Sequence, residues 1–575
     1  MVAIEPDSSG TKRAKERPAI TKALFAGRLE ELGLQPSVDV SRLVAAAKQL
    51  DRSRLPADVE EPEDVRESVH ALAPRAKRFH GAKVPARWIP PRLLSSPCSD
   101  KFGYLSSAAT RRATSLPFDQ AHRQLLNALG DLMGEPGREA TISDSNLLAG
   151  ITYVGQFVDH DITLDVTSAL DTATDANTVT NMRSPALDLD SLYGRGPAVE
   201  PHLYVFPSFG PDTAITFALG SNQDVGPGGP AGTANDPSAM KVQVDFDVPR
   251  VTNPLDPFGS TNTAIIGDPR NDENLIVSQF HAAMLRFHNR VVEFLVLSGF
   301  SGDIFVAAKQ LVTHHYQWAV VHDFLAKICG QQAVANALAN VSAPIGSGFR
   351  MPVEFAVAAY RFGHSMIRDD YWVNFNFPAA TLGQVFEFIR NPLIPVLSNW
   401  VVDFNAFFDT GVPATMRNRA RKIDSVLAPT LETLPGFSGL MAVLAKRNLR
   451  RGLALGLPSG QGMAKAFGLN PMSNAELTQG LPADEIALLQ QNNRTLLRRT
   501  PLWYYVLREA AVLRGGNRLG PVGAKIVADT FVRMLKRDAD SYLNLPGGFT
   551  PVLPSSVAGD FTFGDLLVFA GVTQP

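Results

Sequence analysis

Residues 153–165 read YVGQFVDHDITLD, which sets His160 between Asp159 and Asp161 and puts Gln156 four residues before it. Residues four apart share a helix face, so Gln156 and His160 project together while the two aspartates flank them. A histidine bracketed by carboxylates in a largely apolar helix is costly to bury unless each charge has a partner, so one reading is a cation or cofactor nearby. A charge cluster at a helix end is the other. Some twenty residues on, SPALDLDSLYG at 184–194 alternates Ser184, Asp188 and Asp190, with a backbone carbonyl available at Ala186. Alternating oxygen donors on a tight loop suit calcium, a hard cation that takes about six to eight oxygen ligands. Asp161 would add a third carboxylate if it faces this loop; alone, the stretch also reads as an Asp-rich turn with solvated side chains.

Two further stretches carry chemistry. GDPRNDE, 267–273, precedes a helical run through SQFHAAMLRFHNR, and its Arg270 and Glu273 are three apart, able to project together or to form a capped, solvated helix start. His281 and His288 on that run are read as structural. AAYRFGHSMIR, 358–368, puts Arg361 and His364 one turn apart on one helical face. A neutral imidazole whose second nitrogen is hydrogen-bonded is a good ligand for haem iron, although a lone buried histidine is commonly core. His314, His315 and His322 read as ordinary helix residues.

The elements that must position these groups are mainly helices. From about residue 117, apolar residues recur every three or four positions, as in the stripe Ile276, Phe280, Met284, Phe287, Val291 and Leu295. Further helical runs are expected over about 303–328, 353–366, 502–514 and 522–537. VGPGGPAGTANDPS at 225–238 reads as a surface insertion, because repeated Gly and Pro deny a regular ladder. TAITFAL and KVQVDFDV alternate enough to be short strands beside it. Residues 1–95 mix charge runs with weakly amphipathic stretches and read as an extension of unknown role, leaving 96–575 as one large, mostly α domain with few short strands. No internal repeat, P-loop, HExxH motif or Gly-x-Ser-x-Gly elbow occurs.

Composition excludes several classes. With 54 Lys+Arg against 56 Asp+Glu, the 575-residue chain has no basic footprint for nucleic acid or an anionic membrane. Two cysteines, Cys98 and Cys329, cannot supply a disulfide framework. The charged N-terminus lacks the apolar core of a Sec signal, and apolar runs fall short of the roughly 18 residues of a membrane span. A cytoplasmic protein, or one exported by a non-Sec route, is expected.

Taken together and in order, GQFVDHD, the Asp-rich loop ending in Leu192-Tyr193-Gly194, GDPRNDE with LRFHNR, YRFGH and RNLRRGLALGLPSGQ (447–461) resemble the animal-type haem peroxidase (peroxidase-cyclooxygenase) superfamily, in the bacterial branch without the secreted members' disulfides. The resemblance spans roughly 100–570. It implies haem b held between central helices, with His364 as proximal iron ligand, Asn448 accepting that ring's far N–H, and Arg361 beside it. His160 corresponds to the distal proton acceptor, Arg270 to the distal arginine, and Gln156 to a residue lining the same pocket. Asp159 and Glu273 match carboxylates that in many relatives become ester-linked to haem methyl groups. Asn274 stands where the most oxidising relative has a methionine bonded to a haem vinyl, so that bond is absent and efficient chloride oxidation is not expected. Asp161, Ser184, Ala186 (carbonyl), Asp188 and Asp190 match a calcium site, with Ser184 and Asp190 departing from the usual threonine and serine.

The implied activity is reduction of hydrogen peroxide coupled to oxidation of a small donor: a halide, thiocyanate or phenol. The same fold hosts fatty-acid dioxygenases, which need a tyrosine three residues before the proximal histidine; that position here is Arg361. Tyr360 is adjacent, but about 100 degrees of helix rotation per residue should turn it away. A catalytically idle haem-binding protein is the third reading, and His160 with Arg270 argues against it.

Overall fold

The computed structural model describes residues 101–573 apart from 139–142, 166–168, 209, 223–245, 251–262, 391–395, 413–415 and 436, together with strand residues 78, 79, 82 and 83. Of the expected N-terminal extension, only the antiparallel pair Arg78–Phe79 with Ala82–Lys83 is therefore described. The glycine-rich loop at 225–238 and the first half of KVQVDFDV lie outside the described residues. TAITFAL yields a two-residue strand, Thr216–Phe217, paired with Tyr204–Val205.

Helices dominate the rest, as the 3.6-residue periodicity predicts. Those that matter for the site are α1 (Gln120–Met133), α2 (Gly150–Ile162), α3 (Leu275–Leu297), α4 (Ile304–Ala319), α5 (Leu444–Ala454), α6 (Leu502–Arg514) and α7 (Pro521–Arg537). Strands among the described residues occur only as short antiparallel pairs, such as Asp144–Leu148 with Arg419–Arg421.

The α3 stripe from Ile276 to Leu295 is buried throughout, and Asn274 starts the helix by accepting from the Val277 N–H. α2 carries the DHD stretch against α3. Its first residue has to be glycine, because a Cβ on Gly150 would lie 2.5 Å from the Phe407 carbonyl oxygen, to which Gly150 donates its own N–H.

Two expected helices depart from regularity. The run over 303–328 is α4 followed by a π turn at Val320–Leu325 and a short turn at Ala326–Ile328. The run over 353–366 is a π turn at Glu354–Ala358 followed by a 3₁₀ segment at Ala359–Met366. Buried Glu354 anchors its start by accepting from the Leu105 and Ser106 amides, both at 2.9 Å. Where the backbone then breaks from the α geometry, side chains take up carbonyls. Arg361 Nε donates to Ala356 O at 3.0 Å, and Trp503 Nε1 on α6 donates to Arg361 O at 3.1 Å. Three residues per turn still put Arg361 and His364 on one side. Tyr360, expected to point away, is instead part of the wall of the cavity described below.

Phe280 of α3 packs edge-on to Phe157 of α2 at 5.3 Å and lies parallel to Phe408 at 6.0 Å. It is fully buried, so Phe280→Ala should cost about 3–5 kcal/mol in denaturant unfolding. A loss below about 1 kcal/mol would show that α2 and α3 are not held by this contact.

Candidate active site

A cavity of about 1290 Å³, its mouth included, opens between α2, the 3₁₀ segment and the start of α5. Gln156, Asp159, His160, Glu273 and Asn274 line it, as do Tyr360, Arg361 and His364. The two histidines singled out from separate motifs therefore share one cavity. The rest of the wall is largely apolar, with Ile367, Leu382, Phe386, Leu431 and Leu444.

On the α2 side, the polar groups form a connected set. Asn274 Nδ2 donates to Gln156 Oε1 at 3.0 Å, and Gln156 Nε2 donates to Glu273 Oε2 at 3.3 Å. That same Glu273 oxygen lies 3.9 Å from His160 Nε2. Asn274 thus serves twice, capping α3 through its oxygen and orienting Gln156 through its nitrogen. Burial pushes the Glu273 carboxyl well above the usual carboxylate range, against the nearby charge of Arg270. Asp159 is raised for the same reason and accepts from Thr163 Oγ1 at 2.8 Å. Burial, assisted by the Arg270 charge, lowers the His160 pKa to about 3. The ring is neutral at physiological pH, which leaves one nitrogen able to accept a proton.

Arg270 is not where the sequence motif led us to expect. It does not line the cavity but lies behind His160, where Nη2 donates to His160 O at 2.7 Å and Nη1 to Thr163 O at 2.8 Å. Its guanidinium caps the last carbonyls of α2, which would otherwise lack partners. Asp268 holds it there, accepting from Nη2 at 2.7 Å and also from Arg183 Nε at 2.8 Å. Arg183 in turn reaches Asp190 Oδ1 at 3.2 Å. A buried ladder, Asp190–Arg183–Asp268–Arg270, therefore runs from the Asp-rich loop to the end of the helix that carries His160. Neither Arg183 nor Asp268 stood out in the sequence, although alternating charges far apart in the chain and buried without solvent can exist only as such a ladder.

The Asp-rich loop does fold against α2. Carboxylate oxygens of Asp161, Asp188 and Asp190 lie within 4.8 Å of one another. Burial and the two neighbouring carboxylates push Asp161 well above its ordinary pKa. Ser191 Oγ and Tyr316 of α4 donate to Asp161 at 3.1 and 3.3 Å, and Gln317 of α4 pins the loop through Leu187 O at 2.9 Å. Ser184 enters by its backbone, donating to Asp190 Oδ2 at 3.1 Å, and Ala186 lies in the same loop. Leu189, between Asp188 and Asp190, adopts a left-handed φ of 58°, a strained conformation for a leucine.

On the opposite side of the cavity, His364 Nδ1 lies 2.8 Å from the Asn448 side-chain amide of α5. The amide nitrogen faces the ring and its oxygen faces Arg361 Nη1 at 3.5 Å. Binding a metal through Nε2 requires the ring proton on Nδ1, and hence a half turn of the Asn448 amide that exchanges its oxygen and nitrogen in place. Burial, with Arg361 and Arg447, holds the His364 pKa well below the ordinary histidine value. Arg447, one residue before Asn448, is a further residue the sequence reading missed. Its Nη1 is buried with no hydrogen-bond partner among the described residues, and burial beside Arg361 lowers its pKa to about 10. The cavity thus offers the imidazoles of His160 and His364, a largely apolar wall, and the Arg361 guanidinium, which suits an anionic group. A haem with its two carboxylates fits this set of donors.

The ladder makes a testable demand. Arg183→Met leaves Asp190 and Asp268 buried without their shared cation, and should lower unfolding stability by about 3–5 kcal/mol. Unchanged stability would mean that the ladder does not hold the loop to α2.

The profile of the animal haem peroxidase family matches residues 170–552. Among curated proteins, the chain is 26% identical over 240 residues to a dual oxidase from Drosophila melanogaster, covering 39% of this chain and 14% of that protein. It is 24% identical over 296 residues to peroxidasin homolog pxn-2 from Caenorhabditis elegans, covering 48% and 21%. The chain spans about a fifth or less of the length of these relatives. In structure it is similar to a fatty acid alpha-dioxygenase from Oryza sativa, with a TM-score of 0.51, 12% identity, and coverage of 91% of this chain and 88% of that one. That likeness concerns the fold, and its mostly helical architecture agrees with the one expected. With the family profile matched over most of the chain, this protein belongs to the animal haem peroxidase family.

Proposed function

We propose that the protein is a haem peroxidase that reduces hydrogen peroxide to water while oxidising a small donor, such as iodide, thiocyanate or a phenol. The observation that carries this reading is the neutral, buried His160 facing the same cavity as His364. Haem b, when bound, would supply the iron at which the peroxide oxygens are separated. His364 would ligate that iron through Nε2, with Asn448 as acceptor for the proton on Nδ1. Arg361 and Arg447 would meet the haem carboxylates. His160 would take the peroxide proton at Nε2 and return it to the departing oxygen, which leaves as water. Gln156 and Asn274 would hold water or a small donor beside it. Arg270 would act from behind, fixing the end of α2 and keeping a positive charge near the His160 ring. Asp159 and Glu273, both in the cavity wall and both biased toward the protonated acid, are the candidates for ester links to the haem.

Tyr360 favours a second reading, a fatty-acid dioxygenase. Its phenol group is buried in the cavity wall with no hydrogen-bond partner among the described residues. One experiment separates the two. The purified protein is given peroxide with iodide or guaiacol, and in parallel linoleate under oxygen. Donor oxidation with a Soret band, both lost in His364→Ala, is expected. Oxygen uptake with linoleate, lost in Tyr360→Phe, would replace the peroxidase reading by the dioxygenase one; neither activity would leave a haem-binding protein.

We also infer that a calcium ion is held by Asp161, Ser184, Asp188, Asp190 and the Ala186 carbonyl. Crowded carboxylates repel, as the raised Asp161 pKa reflects, and a hard divalent cation relieves that repulsion. Chelation should lower the melting temperature and the peroxidase rate together, and metal analysis should find about one calcium per chain if all five donors serve one ion. A chain purified in calcium and free of bound metal would overturn the site.

A further inference from the structure

Asn271 is fully buried in the 3₁₀ turn Pro269–Asp272, between two imidazole rings carried by two different helices. Its Oδ1 lies 2.9 Å from His160 Nδ1 on α2, and its Nδ2 lies 3.0 Å from His281 Nδ1 on α3. From sequence alone His281 is a structural histidine, and no local pattern singles out Asn271.

An amide has one accepting end and one donating end, so its orientation settles the proton positions on both rings at once. With Oδ1 toward His160, the His160 proton sits on Nδ1 and the lone pair is on Nε2. With Nδ2 toward His281, that ring presents its Nδ1 lone pair and carries its proton on Nε2, a buried atom with no hydrogen-bond partner among the described residues. A half turn of the amide would reverse both rings and leave His160 with an N–H at Nε2, unable to accept a proton there. The backbone of the turn and the second ring are each held in place. The Asn271 N–H donates to Asp268 O at 3.0 Å, and the His281 ring packs against Phe157 with centroids 6.0 Å apart. The charged or titratable groups around His160 include Arg270, Asp268, Arg183 and Glu273, whose Oε2 lies 3.9 Å from Nε2.

We propose that Asn271, backed by His281, is the positioning residue that keeps His160 in the tautomer with its proton on Nδ1 and its Nε2 lone pair directed to the cavity. The proposal builds on the reading of His160 as proton acceptor, but the tautomer is a property of the chain that can be observed without turnover.

The test uses the full chain labelled with [¹⁵N]histidine and loaded with zinc protoporphyrin, which is diamagnetic, in place of haem. The His160 ring signals are assigned by their loss in His160→Gln. In the wild type, Nδ1 should show the shift of a protonated ring nitrogen and Nε2 that of an unprotonated one. Asn271→Ala should move both toward a tautomer mixture. Asn271→Asp, whose ionised carboxylate can only accept, should restore the wild-type pattern above the pH at which that carboxylate ionises, whereas His281→Phe should weaken it by removing the partner of the donating end. In the haem-loaded forms, the rate of hydrogen peroxide consumption should fall by about 10- to 100-fold in Asn271→Ala and recover in Asn271→Asp. A wild-type His160 with its proton on Nε2 overturns the proposal whether or not any variant folds, as do ring shifts that Asn271→Ala leaves unmoved. If the shifts respond as expected but the wild type consumes no peroxide, the peroxidase reading fails and the positioning role stands.

Discussion

The Asp268 carboxylate is buried between the guanidinium groups of Arg183 and Arg270, and the arrangement on the His160 side of the cavity depends on it. Burial alone would raise its pKa, but the two positive charges overcome that and hold it well below the usual carboxylate range. Through Arg183 it grips the loop that carries Asp188 and Asp190. Through Arg270 it closes the end of α2 at the carbonyl of His160 itself. In so little solvent a charge cannot be left over, so loop, turn and helix are correct together or not at all.

The cavity combines this charged scaffold with groups that burial biases toward their neutral forms. His160, Glu273 and Asp159 all have pKa values moved toward their neutral forms by desolvation. Neutral groups can exchange protons and donate or accept hydrogen bonds without the reorganisation that exposed ions require. Two cations lie on the far side: Arg361 of the 3₁₀ segment lines the cavity, and Arg447 of α5 lies close enough that the Arg361 charge adds to burial in depressing its pKa. The two sides thus differ in electrostatics as well as in sequence origin.

Much of this was legible in the chain because the motifs are local. Gln156 and His160 share a face through helix periodicity alone, the stripe from Ile276 to Leu295 is buried as its spacing requires, and the alternating aspartates converge on Asp161. The expectation for Tyr360, drawn from regular helix geometry, failed where the helix is not regular, and Arg270, matched to the distal arginine by resemblance, lies behind His160. Tyr360 enters the cavity wall because the backbone passes from a π turn into a 3₁₀ segment, anchored by Glu354 to amides some 250 residues earlier in the chain. Arg270 turns from the cavity because Asp268 and the carbonyls of α2 offer it more partners than the cavity does.

By itself, the sequence determined the helical class, the set of chemically competent residues and, through the order of its motifs, the family. These depend on residue type and on spacings within one or two turns. Only the tertiary structure decided which of those residues meet: that His160 and His364 share a cavity, that Arg183 ties the Asp-rich loop to Asp268, and that Asn271 stands between the rings of His160 and His281. The reason is that a buried polar atom must find its partner wherever the packing brings one within about 3 Å. No local pattern records which distant residue that is.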